Sequence, residues 1–212
     1  MPDAVPTAEE FRERYLSDET PWNIGHVQPA IALHADKIGG KVLDVGCGTG
    51  ELSFWLADRG LLTLGVDSAE AAIERAQQEK TRRGGELPVE FQVADATDLA
   101  ALNNRFDTVV DCLVFHCFDD AERVRYVSGL RQVLRPGGTL VMLVFSDQEP
   151  PGNGPRRIAA ADIALSFARG FVCRELHAEK IEVRPQDQHL FSDYGPKGWL
   201  AILERLDDGV IE

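Results

Sequence analysis

Three glycines alternate with other residues in the segment Val42-Leu-Asp-Val-Gly-Cys-Gly-Thr-Gly-Glu51. Gly46, Gly48 and Gly50 lie between an apolar run and a helix-like run. There they allow a tight turn and close approach of a ligand to the main chain, where helix N-terminal amides also gather. The spacing G-x-G-x-G differs from the dinucleotide fingerprint G-x-G-x-x-G, and Glu51 stands where its third glycine would be. Asp44 adds a carboxylate just before the loop. It disfavours a pyrophosphate and favours a ligand with a cationic end, such as an amino acid joined to a nucleoside. Alternatively, Asp44 only hydrogen-bonds the loop amides; both roles are compatible. Asp67 follows 21 residues after Gly46, close to the spacing of about 20 at which an acid reaches ribose hydroxyls. Its two oxygens suit a vicinal diol, while the adjacent Ser68 suits a helix cap. Asp95-Ala96 follows a third apolar run. Asp95 is either an acceptor for the exocyclic amine of an adenine or a carboxylate in solvent. His116 follows a fourth run. A neutral imidazole there binds or deprotonates a second substrate, or else packs beneath the loop.

These residues need a scaffold, and the hydrophobic periodicity supplies one. Lys41–Val45, Leu61–Val66, Val89–Val93, Phe106–Val110 and Thr139–Phe145 read as short apolar strands. Helices are predicted over Glu51–Asp58, Ala69–Thr81 and Asp119–Leu134, the second capped by Ser68, with Arg135-Pro-Gly-Gly138 as a turn. Strands without polar alternation, separated by helices, predict a parallel sheet covered on both faces, hence a doubly wound α/β fold with right-handed crossovers. Ligands of such sheets sit at the carboxyl ends of the strands. Beyond the Pro/Gly-rich segment Ser146–Arg157 come a helix over Ala159–Ala168 and two more strands, Phe171–Val183 and Gly198–Leu206. Ahead of the sheet, Phe11, Tyr15 and Leu16 predict one face of a short helix. The loop after it carries Trp22, which either packs the arm down or covers a ligand.

The 212 residues carry 22 Lys and Arg against 35 Asp and Glu, for a net charge of −13, and 44% are hydrophobic. This describes one globular domain with a sizeable core. The acidity argues against nucleic acid and against an anionic membrane surface. Cys47, Cys112, Cys117 and Cys173 form no CxxC pair, so neither a zinc site nor any other metal site is expected, and the thiols read as reduced. Without a secretory signal or a membrane-length apolar run, the expected location is the cytoplasm and the expected state a monomer or homodimer. Arg156 and Arg157 read as solvated charge or as groups meeting an anionic acceptor.

Taken together, Asp44-x-Gly46-x-Gly48-x-Gly50, Asp67, Asp95-Ala96 and the Arg135-Pro-Gly-Gly138 turn resemble the class I S-adenosylmethionine-dependent methyltransferases over about residues 40 to 145. The resemblance implies a Rossmann-like seven-stranded sheet of order 3-2-1-4-5-7-6, its seventh strand antiparallel. It also implies S-adenosylmethionine as cofactor. The glycine loop, with Cys47, would hold the methionine part, Asp67 and Ser68 the ribose, and Asp95 and Ala96 the adenine. Positions around Asp111 and Cys112 would line the methionine end. The arm Thr20-Pro-Trp-Asn-Ile-Gly25 with Gln28-Pro29 is similar to that of the thiol, thiocyanate and halide methyltransferases. With Arg105–Asp111 and Phe115-His116 added, the likeness is to bacterial heterocyclic-toxin methyltransferases. In that group the arm closes over cofactor and acceptor, which implies a Trp22 shield. The thiocyanate-type arm reads Trp-Asp, where this chain has Trp22-Asn23. The expectation is then one methyltransferase domain over 1–212: an arm or lid (1–38), a cofactor-binding core (40–145) and an acceptor-side segment (146–212). The acceptor would be a small aromatic or heterocyclic molecule, methylated on O, N or S. Alternatives are a protein or RNA acceptor, or a cofactor-binding module without activity.

Overall fold

The computed structural model describes residues 8–17, 20–152, 154–192 and 195–207. In chain order the main elements are α1 (Ala8–Ser17), α2 (Pro29–Leu33), β1 (Val42–Val45), α3 (Glu51–Ala57), β2 (Thr63–Asp67), α4 (Glu70–Arg83), β3 (Val89–Val93), β4 (Phe106–Cys112), α5 (Asp120–Val133), β5 (Leu134–Phe145), α6 (Ala160–Ser166), β6 (Phe171–Lys180) and β7 (Lys197–Arg205). They build a seven-stranded sheet of order β3-β2-β1-β4-β5-β7-β6. Strands β1 to β5 run parallel, and β7 is antiparallel to both neighbours. This is the expected fold.

Successive strand residues feed opposite layers, as the twofold period of a strand requires. Leu43, Val109, Leu140 and Met142 pack against Tyr126, Leu130 and Phe167 on one side. Val42, Val110, Val141 and Leu143 pack against Ile31, Leu52 and Leu56 on the other. Both faces are covered, which is why these strands lack polar alternation. Strand β6 lies at the edge and mixes Arg174, Glu175, His177, Glu179 and Lys180 into its sequence, blunting an otherwise open ladder.

Several local expectations are corrected. Ser68 does not cap α4: the N-cap is Ala69 with no side-chain cap, and Asp67 Oδ1 instead accepts the Ala69 N–H at 2.9 Å. The Arg135–Gly138 turn is absorbed into β5, where the register against β4 shifts between Phe106 and Thr108. Arg135 pairs with Asp107, whose other oxygen accepts the Lys41 N–H at 2.7 Å. Strand β6 stops at Lys180, so Ile181–Val183 leave the sheet, and the two apolar residues there are buried. Of the face expected from Phe11, Tyr15 and Leu16, the side chain of Tyr15 alone is among those described. Among the described residues, no helix is long and apolar enough to cross a membrane.

Candidate functional site

The carboxyl ends of β1, β2 and β4 converge on the glycine loop. Gly46, Gly48 and Gly50 all have positive φ, at 66°, 54° and 95°, the region glycine enters without a Cβ penalty. A Cβ on Gly46 would collide with Val114, and one on Gly48 would stand 2.8 Å from the Tyr15 hydroxyl. Asp67 Oδ2 accepts the Gly48 N–H at 2.9 Å, so one carboxylate fastens both the loop and the entry to α4. Burial raises its pKa, against the amides of Ala69, Gly48 and Ser68 that pull it down.

Asp44 lies beneath the loop. It is buried, and Ser53 Oγ donates to its Oδ2 at 2.6 Å. Burial pushes its pKa up to about 7, against the Ser53 hydrogen bond, while Asp67, Glu51 and Asp111 add to the rise. Among the described residues the charges that shift Asp44 are all acidic. Such a buried carboxylate is expensive unless a cation joins it. A ligand with an ammonium or sulfonium group fits this acid-rich cradle; a pyrophosphate does not.

The arm is tied across the loop. Asn23 Nδ2 donates to Thr49 Oγ1 at 3.1 Å, and Thr49 Oγ1 donates to Glu51 Oε1 at 2.6 Å. Thr49 spends its proton on Glu51, so position 23 must supply a donor. Asn does this; the Asp of the thiocyanate-type arm does not. Gln28 mimics a strand partner, with Nε2 donating to the Glu182 carbonyl at 2.8 Å and Oε1 accepting the Glu182 N–H at 2.9 Å. The Arg184 N–H reaches the Pro21 carbonyl at 3.0 Å. Trp22 meets Tyr15 edge-on, with centroids 6.2 Å apart, and its Nε1 donates to the Tyr15 hydroxyl at 3.4 Å.

Under this arm lies a cavity of ≈ 560 Å³. One end is lined by Trp22, Gly46, Asp67, Ser68, Asp95 and Ala96. The other is lined by Val114, His116, Cys117, Phe118, Phe145, Ile181, Val183 and Phe191. A smaller cavity of ≈ 70 Å³ adjoins it and is lined by Trp22, Asn23, Asp44, Gly46, Cys47, Gly48, Thr49 and Glu51. Gly50 lines neither; its φ and the ring of Phe91 beside it fix the turn. Asp95 is exposed on the rim and caps the following turn, with Oδ1 accepting the Thr97 N–H at 2.7 Å.

Asp111 and His116 both accept backbone amides. Asp111 lines neither cavity. It is buried below the site, where it accepts from the Val114 N–H at 2.9 Å, the Phe115 N–H at 3.2 Å and the Tyr126 hydroxyl at 2.7 Å. Its pKa is pushed up to about 6 by burial, against these hydrogen bonds. Its neighbour Cys112 faces the other way and lines both cavities. His116 lines the large cavity, but its Nδ1 accepts the Phe145 N–H at 3.0 Å. Burial, then Arg123 and Arg157, hold its pKa down to about 3. With Nδ1 accepting, a neutral ring carries its proton on Nε2. Arg156 and Arg157 are engaged elsewhere: Arg156 pairs with Asp120 at 2.8 Å, and Arg157 donates to the Pro155 and Pro150 carbonyls at 2.6 and 3.0 Å.

Residue types alone did not single out Tyr15, Asn23, Glu51, Gln28 or Glu149. Glu149 is buried and accepts from the Ser192 N–H, the Ser192 hydroxyl and the Lys197 N–H at 2.8, 2.5 and 3.0 Å. Burial would raise its pKa, but the Ser192 and Lys197 hydrogen bonds hold it below the ordinary value. It pins the 146–157 loop to the segment before β7. Among the described residues, no cluster of three or more His, Cys, Asp or Glu could hold a metal.

Comparison with known proteins places this geometry. The methyltransferase-domain family matches residues 42–138. A 2-heptyl-1-hydroxyquinolin-4(1H)-one methyltransferase of Mycobacteroides abscessus is 33% identical over 152 residues, 70% of this chain and 66% of its own length. The demethylmenaquinone methyltransferase of Thermus thermophilus is 35% identical over 191 residues, 85% of this chain and 84% of its own. A solved structure from work on converting a disulfide bond into a thioacetal group during echinomycin biosynthesis matches with a TM-score of 0.83 at 31% identity, covering 96% of this chain and 94% of that one. A glycine loop over a buried acid, on a 3-2-1-4-5-7-6 sheet with relatives of this kind, makes the chain a member of the class I S-adenosylmethionine-dependent methyltransferase family.

Proposed function

We propose that this methyltransferase modifies an O, N or S atom of a small aromatic or heterocyclic acceptor. One observation carries the reading: a single cavity of ≈ 560 Å³ runs from acids at the glycine loop to a chamber walled by Phe118, Phe145, Ile181, Val183 and Phe191. Enclosed, mostly apolar sites of this size suit small ligands. Two relatives are named for ring-bearing acceptors, 2-heptyl-1-hydroxyquinolin-4(1H)-one and demethylmenaquinone, which supports a ring-bearing acceptor here.

We assign the ammonium end of the cofactor to Asp44 and to the loop Gly46, Cys47, Gly48 and Gly50. Asp67 and Ser68 are assigned to the ribose, Asp95 and Ala96 to the adenine, and Trp22 to a cover over it. Asp67 keeps lone pairs for a diol after accepting two amides. S-adenosylmethionine supplies an electrophilic methyl group carried on a sulfonium. The chain's task is then to exclude water and align a nucleophile, and orientation of this kind contributes roughly 7–11 kcal/mol. Asp111 acts through others, holding the 113–115 turn and so placing Leu113, Val114 and His116 along the wall. In this reading residues 1–38 form the lid, 40–145 the cofactor core and 146–212 the acceptor side of one domain.

The test is turnover with S-adenosylmethionine against a panel of aromatic hydroxyls, aromatic thiols and ring nitrogens, read as S-adenosylhomocysteine formed and acceptor methylated. Methylation of at least one class is expected. Methylation confined to added peptides or RNA would overturn the reading. So would S-adenosylhomocysteine binding without turnover on any acceptor.

A further inference from the structure

We propose that this enzyme takes its acceptor as an anion already ionised in solution, its charge met by the Nε2–H of His116, with the guanidinium groups of Arg123 and Arg157, behind the Phe115 and Phe145 rings, adding positive potential from outside the cavity lining. The inference rests on the small-acceptor reading above and deepens it.

The cavity is electrically polar. Asp67 lines its cofactor end, with Asp44 and Glu51 in the smaller cavity that adjoins it, whereas the side-chain charges that act on His116 are the two arginines, neither of which lines the cavity itself. In a chain of net charge −13, two arginines as the side-chain charges acting on His116 are unexpected. Arg123, on α5, is only 6% exposed. Its guanidinium lies over the Phe115 ring at 4.8 Å, and its Nε and Nη2 have no hydrogen-bond partner. Asp120 is 4.0 Å from it and is more closely engaged with Arg156, at 2.8 Å. Arg157 lies over the Phe145 ring at 5.2 Å, and that ring in turn meets the His116 ring at 5.2 Å. Asp119, Asp120 and Asp162 offset part of the Arg123 charge, and Glu149 part of that of Arg157.

Nothing described at this end takes up a proton. His116 Nδ1 is occupied by the Phe145 N–H. The thiols of Cys112 and Cys117 line the wall, and burial drives them away from ionisation. Asp67 lies at the cofactor end and serves two amides. The proton therefore goes to water before binding. A lone pair of the bound anion then forms the new bond to the methyl carbon as the methyl–sulfur bond breaks. The electron pair of that bond stays on sulfur, and the acceptor's negative and the sulfonium's positive charge disappear together. The substrate class is acids weak enough to exist and strong enough to ionise near neutrality: hydroxyls on electron-poor heterocycles, and aromatic thiols.

The experiment is a spectrophotometric pH titration of 4-nitrophenol and 4-nitrobenzenethiol bound to the protein with S-adenosylhomocysteine. Bound probe is expected to ionise at least one pH unit below free probe, a tenfold change in its acid constant. His116→Asn keeps an oxygen for the Phe145 N–H but loses the Nε2 donor. It should erase most of the shift while S-adenosylhomocysteine affinity stays within twofold. In turnover, the inflection of kcat/KM with pH should move with the acidity of the acceptor. An unshifted or raised ionisation, or an inflection fixed at one pH for acceptors of different acidity, overturns the proposal. The wild-type titration decides the matter if His116→Asn does not fold. If neither probe nor any panel acceptor binds while S-adenosylhomocysteine does, the small-acceptor reading falls and takes this inference with it.

Discussion

At the scale of single residues, the two carboxylates Asp44 and Asp111 show what one position along a strand decides. Asp44 ends in the cradle under the glycine loop; Asp111 points below it to Tyr126. Spacing reveals that an acid ends a strand, but the face it occupies depends on register against neighbours, and a shift of one residue inverts it. Asp67 was legible because strand, turn and helix lengths fix its distance from the loop. Its service to the Ala69 amide, which Ser68 seemed suited to provide, depended on side-chain direction and was not legible. A pH prediction follows from Asp44. Its folded-state pKa of about 7 lies above the ordinary 3.8, so the folded, ligand-free protein holds a proton there that the unfolded chain releases. The stability tied to this group is full below about pH 4 and is lost as pH rises through about 7. A cationic ligand needs the ionised form. S-adenosylhomocysteine affinity should therefore rise up to about tenfold per pH unit below pH 7 and level off above it, and Asp44→Asn should flatten the rise. Calorimetric titration from pH 5.5 to 8 checks both. Trp22 makes a separate prediction: Trp22→Ala should weaken S-adenosylhomocysteine binding about tenfold, roughly 1.4 kcal/mol, with the far-UV spectrum unchanged. Equal affinity would leave it a packing partner of Tyr15.

At the scale of elements, the parallel core strands were readable because each buries both faces, whereas the walls of the acceptor chamber were not. Ile181 and Val183 prolong the apolar pattern of β6 in sequence, yet they leave the sheet to line the cavity beside the arm. Periodicity reports burial without naming the partner. Glu149 was equally hidden, since a carboxylate in a Pro/Gly-rich loop resembles any solvated charge. The structure buries it as the pin of that loop. Glu149→Ala should leave three donors without their acceptor, at a cost of about 1–3 kcal/mol. Acceptor KM should rise while S-adenosylhomocysteine affinity holds. Hydrogen exchange should quicken over residues 146–158 and 190–197; unchanged exchange there would remove the latch from the account.

At the scale of the whole molecule, the folded chain is a receptor whose ligand stabilises it by mass action. S-adenosylmethionine or S-adenosylhomocysteine at about 100 times Kd should add about 2.7 kcal/mol, a rise in Tm of roughly 5–10 °C for a domain of this size. NAD should give no shift, because Asp44 and the G-x-G-x-G loop refuse a pyrophosphate. A shift with NAD alone would contradict the electrostatics of the cradle.

The position of β7 has a consequence for how the chain is made. The last strand occupies an interior place between β5 and β6, so during synthesis β5 presents an unpaired edge and β6 has no neighbour at all. The arm meanwhile waits for Glu182 and Arg184, its distant hydrogen-bond partners. A nascent chain thus carries a sticky, unfinished sheet until β7 leaves the ribosome. Late-stage truncation or a stall near residue 190 should yield aggregates and not a partly active enzyme.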